Sequence, residues 1–255
     1  MEENNEVIMA LDVSTQTIGV CILVNDGSEY GKIAELTHVN PKCNNKIKGT
    51  EELFIKKRIF EGFLEKHKSI GINRVVIEEP LISSNNTVTC SILLRYNGMI
   101  SDSIYNILGV VPEYISSHDA RKYSFPDLVS VRKYDKEGRE YDSSKVIKSI
   151  RDAKFVLFGG YPWEVDKKTI MQGKVAEIFP NIEWVYDKNG ELRKENFDAT
   201  DSYIAALGWL NKKRNGEIEF KVSNVTPTIS DEKMKIDYDV EYWNRKEHRV
   251  TYLNK

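Results

Sequence analysis

One acidic residue between two apolar runs is the sequence feature that most constrains the fold. The stretch VIMALDVSTQTIGVCILV places Asp12 between apolar residues 7–11 and 18–24. These short aliphatic runs predict two buried strands joined by a polar turn at residues 14–17, with Gly19 permitting a close approach of another segment. A carboxylate at the end of a buried strand costs several kcal/mol unless it has a partner or a ligand. Asp12 is therefore the first candidate functional residue.

The apolar pattern predicts an α/β fold over the first part of the chain. Pro80 ends the fourth predicted strand and Gly109 ends the second predicted helix. Strands are expected at 7–13, 17–24, 31–40, 73–81 and 111–117, and helices at 50–68 and 88–109. The order β-β-β-α-β-α-β predicts a mixed five-stranded sheet with helices on its faces.

The second part of the chain is less regular. We expect hairpins at 131–142 and 182–195, a loop at 159–166, and helices at 143–158, 172–180 and 196–214. The tail from Gly216 is polar, aromatic and irregular in pattern. The chain is therefore interpreted as one domain over 1–215, with an insertion at about 120–170 and a C-terminal extension over 216–255.

Composition excludes several classes of protein. The chain has 255 residues, 40% hydrophobic and 30% charged, which is ordinary for a soluble globular protein. Three cysteines without metal-ligand spacing indicate a reducing, intracellular location, and no apolar run is long enough to span a bilayer. The net charge of −2 means that any contact with DNA must come from local basic clusters. Each cluster, such as residues 55–58, is also explained as a solvated face.

Three more carboxylates extend the pattern that Asp12 begins. Glu78 or Glu79 ends the fourth strand, and Asp198 and Asp201 are three residues apart at the start of the last predicted helix, hence on one face. If the first and fourth strands are neighbours, Asp12 and the glutamate lie side by side. Such a group repels itself unless cations bind, and an all-carboxylate set suits Mg²⁺ or Mn²⁺. Two such ions can clamp both oxygens of a phosphodiester displacement.

Each acid also has a simpler explanation. Asp198 and Asp201 could interact with the dipole of a first helical turn, Glu78 could form a salt bridge, and Asp12 could be a turn residue before Ser14. These explanations are independent, and all of them must hold at once. The joint pattern therefore favours a metal site.

The acidic segments resemble the motifs of a known family. IMALDVSTQTIGVCIL, VVIEEPL and FDATDSYIAAL are similar to the three acidic motifs of RuvC-type Holliday-junction resolvases, in the RNase H-like (retroviral integrase) superfamily. The resemblance, over residues 7–213, implies an RNase H-like fold, with Asp12, Glu78, Asp198 and Asp201 as catalytic and metal-binding acids. Glu78 is preferred to its neighbour because the family glutamate directly follows the apolar run. The implied cofactor is Mg²⁺, which Mn²⁺ can replace, with two ions per site.

The same resemblance implies contacts with DNA. GKVAEIF is similar to the family's Lys-x-x-Val segment, which makes Lys174 a phosphate contact. Leu81 stands near the base-stacking aromatic residue of bacterial members, and Ser14 follows the strand aspartate as in the family motif. A leucine can wedge between base steps but does not stack as an aromatic ring does. The greater length of this chain is more typical of a viral, phage or organellar relative.

The implied activity is paired hydrolysis of four-way DNA junctions, leaving 5′-phosphate ends. A junction with near two-fold symmetry needs two active sites, so a homodimer is expected. The helix at 88–109 is apolar nearly all round, which suits either a helix that covers the sheet and a partner or one deep in a monomer core.

Three other functions remain open from the sequence. A nuclease of the same fold could act on other branched DNA or on RNA–DNA hybrids. LDVSTQTIG also resembles the first phosphate loop of actin-like and sugar-kinase ATPases, but FGGYP lacks the acid expected in their second loop. A non-catalytic DNA-binding protein could keep the fold, although nothing structural would require all four acids.

Overall fold

The computed structural model describes residues 6–44, 46–80, 86–125, 167–216, 218–230, 233–244 and 249–252. Four sequence-based predictions lie outside these residues. They are the hairpin at 131–142, the helix at 143–158, the loop at 159–166 and the DNA contact of Leu81.

Five strands form one mixed sheet in the order β3-β2-β1-β4-β5. They are β1 (Val7–Val13), β2 (Ile18–Val24), β3 (Lys32–Val39), β4 (Arg74–Glu78) and β5 (Glu113–Ile115). Strand β2 runs antiparallel to both its neighbours, whereas β1, β4 and β5 are parallel to one another. This order and these directions are those of the RNase H-like fold. The predicted α/β fold class is confirmed.

Five α-helices and a short 3-10 helix at Lys68–Ile70 accompany the sheet in the described residues. The α-helices are α1 (Thr50–His67), α2 (Thr87–Leu108), α3 (Ser117–Ser124), α4 (Lys167–Ile178) and α5 (Lys194–Asn215). Helix α2 begins after Asn86, whose side chain accepts a hydrogen bond from the Thr89 amide, and ends at Gly109 in the left-handed conformation. The helix end predicted at Gly109 is confirmed, and so are the two long helices predicted in the first half of the chain.

Two local predictions are wrong in extent. The strand predicted at 111–117 ends at Ile115 because the Ser116 hydroxyl accepts a hydrogen bond from the Asp119 amide and helix α3 begins there. The hairpin predicted at 182–195 is present but short: Tyr186 bridges Leu192, and the Asp187 and Arg193 amides donate to the Glu191 and Val185 carbonyls, at 2.8 and 3.0 Å. Beyond it, the Asn196 side chain binds both the amide and the carbonyl of Val185, at 3.0 and 2.6 Å.

The sheet is buried on both faces. On one face, Met9, Leu11 and Ile77 pack with the buried side chains of α1 and α2 in one apolar core. On the other face, Ile8, Ala10 and Cys21 are completely buried. Helix α5 covers that second face, where the Tyr203 hydroxyl donates to the Tyr30 carbonyl at 3.1 Å. Burial raises the pKa of both Cys21 and Tyr203 well above their usual values.

Two glycines let α5 approach its neighbours through the backbone. A Cβ at Gly19 of β2 would collide with the carbonyl group of Asp198 and lie 2.9 Å from the Ala199 amide nitrogen. A Cβ at Gly208 of α5 would lie 2.7 Å from the Ala120 Cα of α3. The close approach expected at Gly19 is therefore present, and it fixes the position of α5 on the sheet.

The chain divides into two compact units. One comprises Met1–Ala120 and Met171–Trp209, and the other comprises Arg121–Ile170 and Leu210–Lys255. The interpretation of residues 1–215 as a nuclease domain with an insertion and an extension stays a prediction.

The C-terminal tail is regular, contrary to the irregular pattern expected from sequence. It forms a three-stranded antiparallel sheet of β6 (Ile218–Ser230), β7 (Lys233–Asn244) and β8 (Arg249–Tyr252). Pro227 within β6 argued against a strand, and a register shift between Ser223 and Thr226 interrupts the alternation that would have revealed one.

We predict that Gly19→Ala destabilises the protein by about 1–3 kcal/mol, because the added methyl group overpacks the contact between β2 and α5. The matched control is Gly62→Ala in α1, where a Cβ meets open space. Alanine there should stabilise the helix by about 0.5–1 kcal/mol. Urea denaturation measures both changes, and equal stability of the two variants would refute the close contact.

Candidate active site

Asp12 and Glu78 come together through the pairing of β1 with β4. The parallel register runs from Ile8 opposite Arg74 to Leu11 opposite Ile77, so the next position in each strand is Asp12 and Glu78. Leu11 and Ile77 both belong to the core beneath α1 and α2. Because side chains alternate along a strand, the two acids belong to the opposite face, which α5 covers. The expectation that the first and fourth strands are neighbours is confirmed.

The backbone of Asp198 packs beside the same end of β1. The residue paired with Asp12 across β1 and β2 is Gly19. Gly19 is also the residue against which the carbonyl group of Asp198 packs. Asp198 therefore lies over the strand position next to Asp12, and Asp201 follows three residues later on α5.

The acids of α5 are not first-turn residues. Helix α5 begins at Lys194, and its first-turn acid is Glu195. The pKa of Glu195 lies below its usual value because its own backbone amide hydrogen-bonds the carboxylate, and Arg193 adds attraction at 2.8 Å. Helix-dipole effects fade within the first turn, so they account for Glu195 and not for Asp198 or Asp201. Asp201 is buried, with only 5% of the residue exposed.

The side chains do not form a complete ligand set as they stand. Within the described segments, no group of three or more His, Cys, Asp and Glu side chains is arranged to hold a metal ion. Asp12 and Glu78 nevertheless end neighbouring strands, and the Asp198 backbone packs on Gly19 beside Asp12. Carboxylate oxygens are the donors that Mg²⁺ prefers. The residue types therefore fit a magnesium-like ion, and the arrangement requires the side chains to converge on it.

Ser14 organises the turn that follows Asp12. Its hydroxyl accepts hydrogen bonds from the Gln16 and Thr17 amides, at 3.2 and 3.0 Å, and donates to the Thr17 carbonyl at 2.8 Å. Thr17 in turn donates through its hydroxyl to the Asn40 side chain at 3.2 Å. The turn is therefore tied to the end of β3. A contact of Ser14 with DNA stays a prediction.

Lys56 of α1 is a site residue that sequence reasoning missed. Its ammonium group donates to the Thr15 carbonyl at 2.6 Å and pairs with Glu52 at 2.7 Å. The residue is 8% exposed, so interpreting residues 55–58 as a solvated face is wrong for this lysine. The available signal was its helical spacing from Leu53 and Phe60, both of which are buried.

Lys174 lies on α4, between the buried residues Met171 and Val175 in sequence. Its side chain is 30% exposed and its ammonium nitrogen is 3.8 Å from the Glu177 carboxylate, a weak pairing within one helix. Its role as a phosphate contact stays a prediction. None of the helices in the described segments has the length and hydropathy of a helix that crosses a membrane.

We predict that Lys56→Met destabilises the protein by about 1–3 kcal/mol, because it leaves Glu52 and the Thr15 carbonyl without their charged donor. Arg58→Met, at an exposed position of the same helix, should change stability by less than about 0.5 kcal/mol. Thermal and urea denaturation of both variants measure the difference. Indistinguishable stabilities would show that Lys56 does not hold the turn.

Comparisons with known proteins find similarity among solved structures alone. No protein-family profile matches the chain, and no curated protein sequence matches it. RuvC of T. thermophilus in complex with a Holliday junction substrate is 12% identical with a TM-score of 0.49, over 83% of this chain and 96% of that one. The Thermus thermophilus RuvC structure is 13% identical with a TM-score of 0.48, over 90% and 99% of the two chains. The yeast mitochondrial Holliday junction resolvase Ydc2 is 13% identical with a TM-score of 0.46, over 82% and 80%.

Proposed function

We propose that the protein is a metal-dependent endonuclease that resolves four-way DNA junctions. The observation that carries this proposal is that Asp12 has an acid on each side. Glu78 is at the matching position of the neighbouring strand β4, and Asp198 packs on Gly19, the residue paired with Asp12 in β2. Acids that are far apart in sequence thereby share the edge where the carboxyl ends of β1 and β4 meet. In open α/β sheets this edge is where ligands bind.

Mg²⁺ is the proposed cofactor, with Mn²⁺ as a substitute and two ions per site. Asp12, Glu78, Asp198 and Asp201 would hold the ions. When bound, a pair of such ions supplies an activated water and neutralises charge on the departing 3′ oxygen. Without ions the carboxylates repel one another. This repulsion gives a physical reason for the four acidic side chains to converge only when metal ions bind.

The other proposed roles belong to groups that bind and orient DNA. Lys174 would neutralise a phosphate near the scissile bond. The Ser14 turn, which the buried Lys56 holds, would keep Asp12 at a fixed position while the strand is bound. Fixed positions matter because a misplacement of about 1 Å can cost roughly a hundredfold in rate.

A homodimer is proposed through helix α2. Leu94 and Tyr105 of α2 are 45% and 57% exposed, so the alternative of a helix wholly within a monomer core does not hold. The two residues are separated by three helical turns and lie on one face, with Ser101 between them. Ser101 is hydrogen-bonded to the Tyr114 hydroxyl at 2.6 Å, so this face continues onto β5. Two-fold pairing through it would supply two active sites for two cuts.

We predict that Asp12→Asn, Glu78→Gln and Asp201→Asn each abolish cleavage of a four-way junction. Each variant removes a negatively charged ligand, which also lowers repulsion, so thermal stability should hold or rise slightly. The matched control is Glu79→Gln, one residue beyond β4, which should keep cleavage near the wild-type rate. An Asp12→Asn protein that cuts at the wild-type rate would overturn the site assignment.

The substrate class is tested by incubating the wild-type protein with labelled four-way junctions, flaps, duplex DNA and RNA–DNA hybrid. Each reaction is run with Mg²⁺, Mn²⁺ or EDTA. Preferential, symmetric cutting of the junction that requires a metal supports the proposal. Preferential cutting of flaps or hybrids would keep the nuclease and replace its substrate, and the absence of any cutting would overturn the proposal.

We predict that Leu94→Asp combined with Tyr105→Asp converts a dimer into a monomer, since buried unpaired carboxylates disrupt an apolar interface. The control pairs Val185→Asp with Tyr186→Asp, which are also exposed, at 41% and 55%, but lie far from α2 in sequence. Sedimentation velocity measures the mass of each protein. A wild-type monomer, or a double α2 variant that remains dimeric, would contradict the interface.

A further inference from the structure

Two pockets of the first unit lie on either side of Thr15, in the turn after Asp12. One has a volume of about 640 Å³ and is lined by residues at the starts of α1 and α2, among them Leu53, Val88, Ile92 and Arg95. The other has a volume of about 360 Å³ and is lined by Lys42, Cys43 and Lys48 of the segment before α1. Thr15 and Glu52 line both pockets, so the two pockets lie side by side, and we call the pair the track.

The track carries positive charge. Lys42 and Lys48 are exposed in the smaller pocket, and Arg95 is exposed in the larger one. The acid that lines both pockets, Glu52, is held by Lys56 at 2.7 Å, and that hydrogen bond lowers the pKa of Glu52. Glu52 also attracts Lys48, but it is one acid among the four cations Lys42, Lys48, Lys56 and Arg95, so the lining of the track is positive in total.

The larger pocket adds an apolar wall to these charges. Val88 and Ile92 are 66% and 37% exposed there, beside Arg95. Cations beside an apolar surface suit a polymer whose phosphates lie beside sugars and bases. Proteins that bind a single nucleic-acid strand combine these same two elements.

The track lies at the edge of the sheet that holds the candidate acids. Thr15 follows Asp12 by three residues, and α2 follows the carboxyl end of β4 and its Glu78. Lys56 fixes the turn between the two pockets through the Thr15 carbonyl. A DNA strand lying across this turn would pass the end of β1, three residues from Asp12.

We propose that the two pockets beside Thr15 hold the sugar-phosphate backbone of one DNA strand, with Lys42 and Lys48 binding phosphates on one side and Arg95 on the other. The identity of this strand as an arm of the cleaved substrate rests on the proposed nuclease function. The binding itself rests on the charge and shape of the track.

The test measures binding of a fluorescent thymidine oligonucleotide in EDTA, which prevents cleavage. The variant combines Lys42→Gln, Lys48→Gln and Arg95→Gln, and the control combines Lys66→Gln, Lys68→Gln and Lys188→Gln, which are also exposed and change the net charge equally. Losing three phosphate contacts should reduce the slope of log affinity against log salt by about 2 and weaken binding about tenfold or more. The control should retain the wild-type slope. Circular dichroism checks that both variants are folded.

A second measurement uses the native thiol of Cys43. Cys43 lines the smaller pocket and is partly exposed, whereas Cys21 and Cys90 are buried. Bound oligonucleotide should therefore slow alkylation of Cys43 by N-ethylmaleimide, read by mass spectrometry, in the wild type and much less in the triple track variant.

The outcomes separate this inference from the nuclease proposal. A triple track variant that binds like the wild type, an unprotected Cys43, or a wild-type protein that does not bind the oligonucleotide would each overturn the track. A wild-type protein that binds through the track and cuts no substrate would retain the track and overturn the nuclease. If the wild type cuts its substrate and the track variant binds the oligonucleotide like the wild type, the nuclease proposal is retained and the track is overturned.

Discussion

The contact between the backbone of α5 and Gly19 of β2 is the constraint on which the rest of the candidate site depends. With no side chain at this position, the carbonyl of Asp198 packs directly on the strand next to Asp12. The parallel pairing of β1 with β4 supplies the other half of the geometry, since its register continues to Asp12 and Glu78. Acids from three elements are thereby held at one edge by backbone packing, which needs no bound ion to persist.

The neighbourhood of these acids combines an electrostatic cost with a means of relieving it. Asp12 and Glu78 end neighbouring strands, and carboxylates brought close together repel one another, a cost that a bound cation relieves. The surrounding turn is stabilised independently, by the hydroxyl of Ser14 and by the buried ammonium group of Lys56. Exposed cations lie beyond that turn, on the track beside Thr15. Negative charge at the edge and positive charge next to it support the proposal of a metal-dependent nuclease.

Much of the first unit was predictable because its signals are local. The central strands, the stop at Gly109 and the close approach at Gly19 follow from apolar periodicity and glycine placement. Helix α3 was missed because its start depends on hydrogen bonds from the Asp119 and Ala120 amides to Ser116, which no sequence pattern shows. Strand β6 was missed because Pro227 and a register shift hide its alternation. Lys56 was misjudged since its burial depends on a carbonyl that lies 41 residues away in the chain.

The sequence by itself determined which residues could do chemistry and the order of strands and helices that carries them, because residue type and periodicity are properties of the local chain. It could not determine that Asp198 lies past the first turn of its helix, that Lys56 is buried, or that two pockets meet at Thr15. Those features depend on contacts between distant parts of the chain, such as the packing of the α5 backbone on β2 and the hydrogen bond from the Lys56 ammonium group to the Thr15 carbonyl. Only the tertiary structure brings such partners together, since no local pattern records which distant groups will meet.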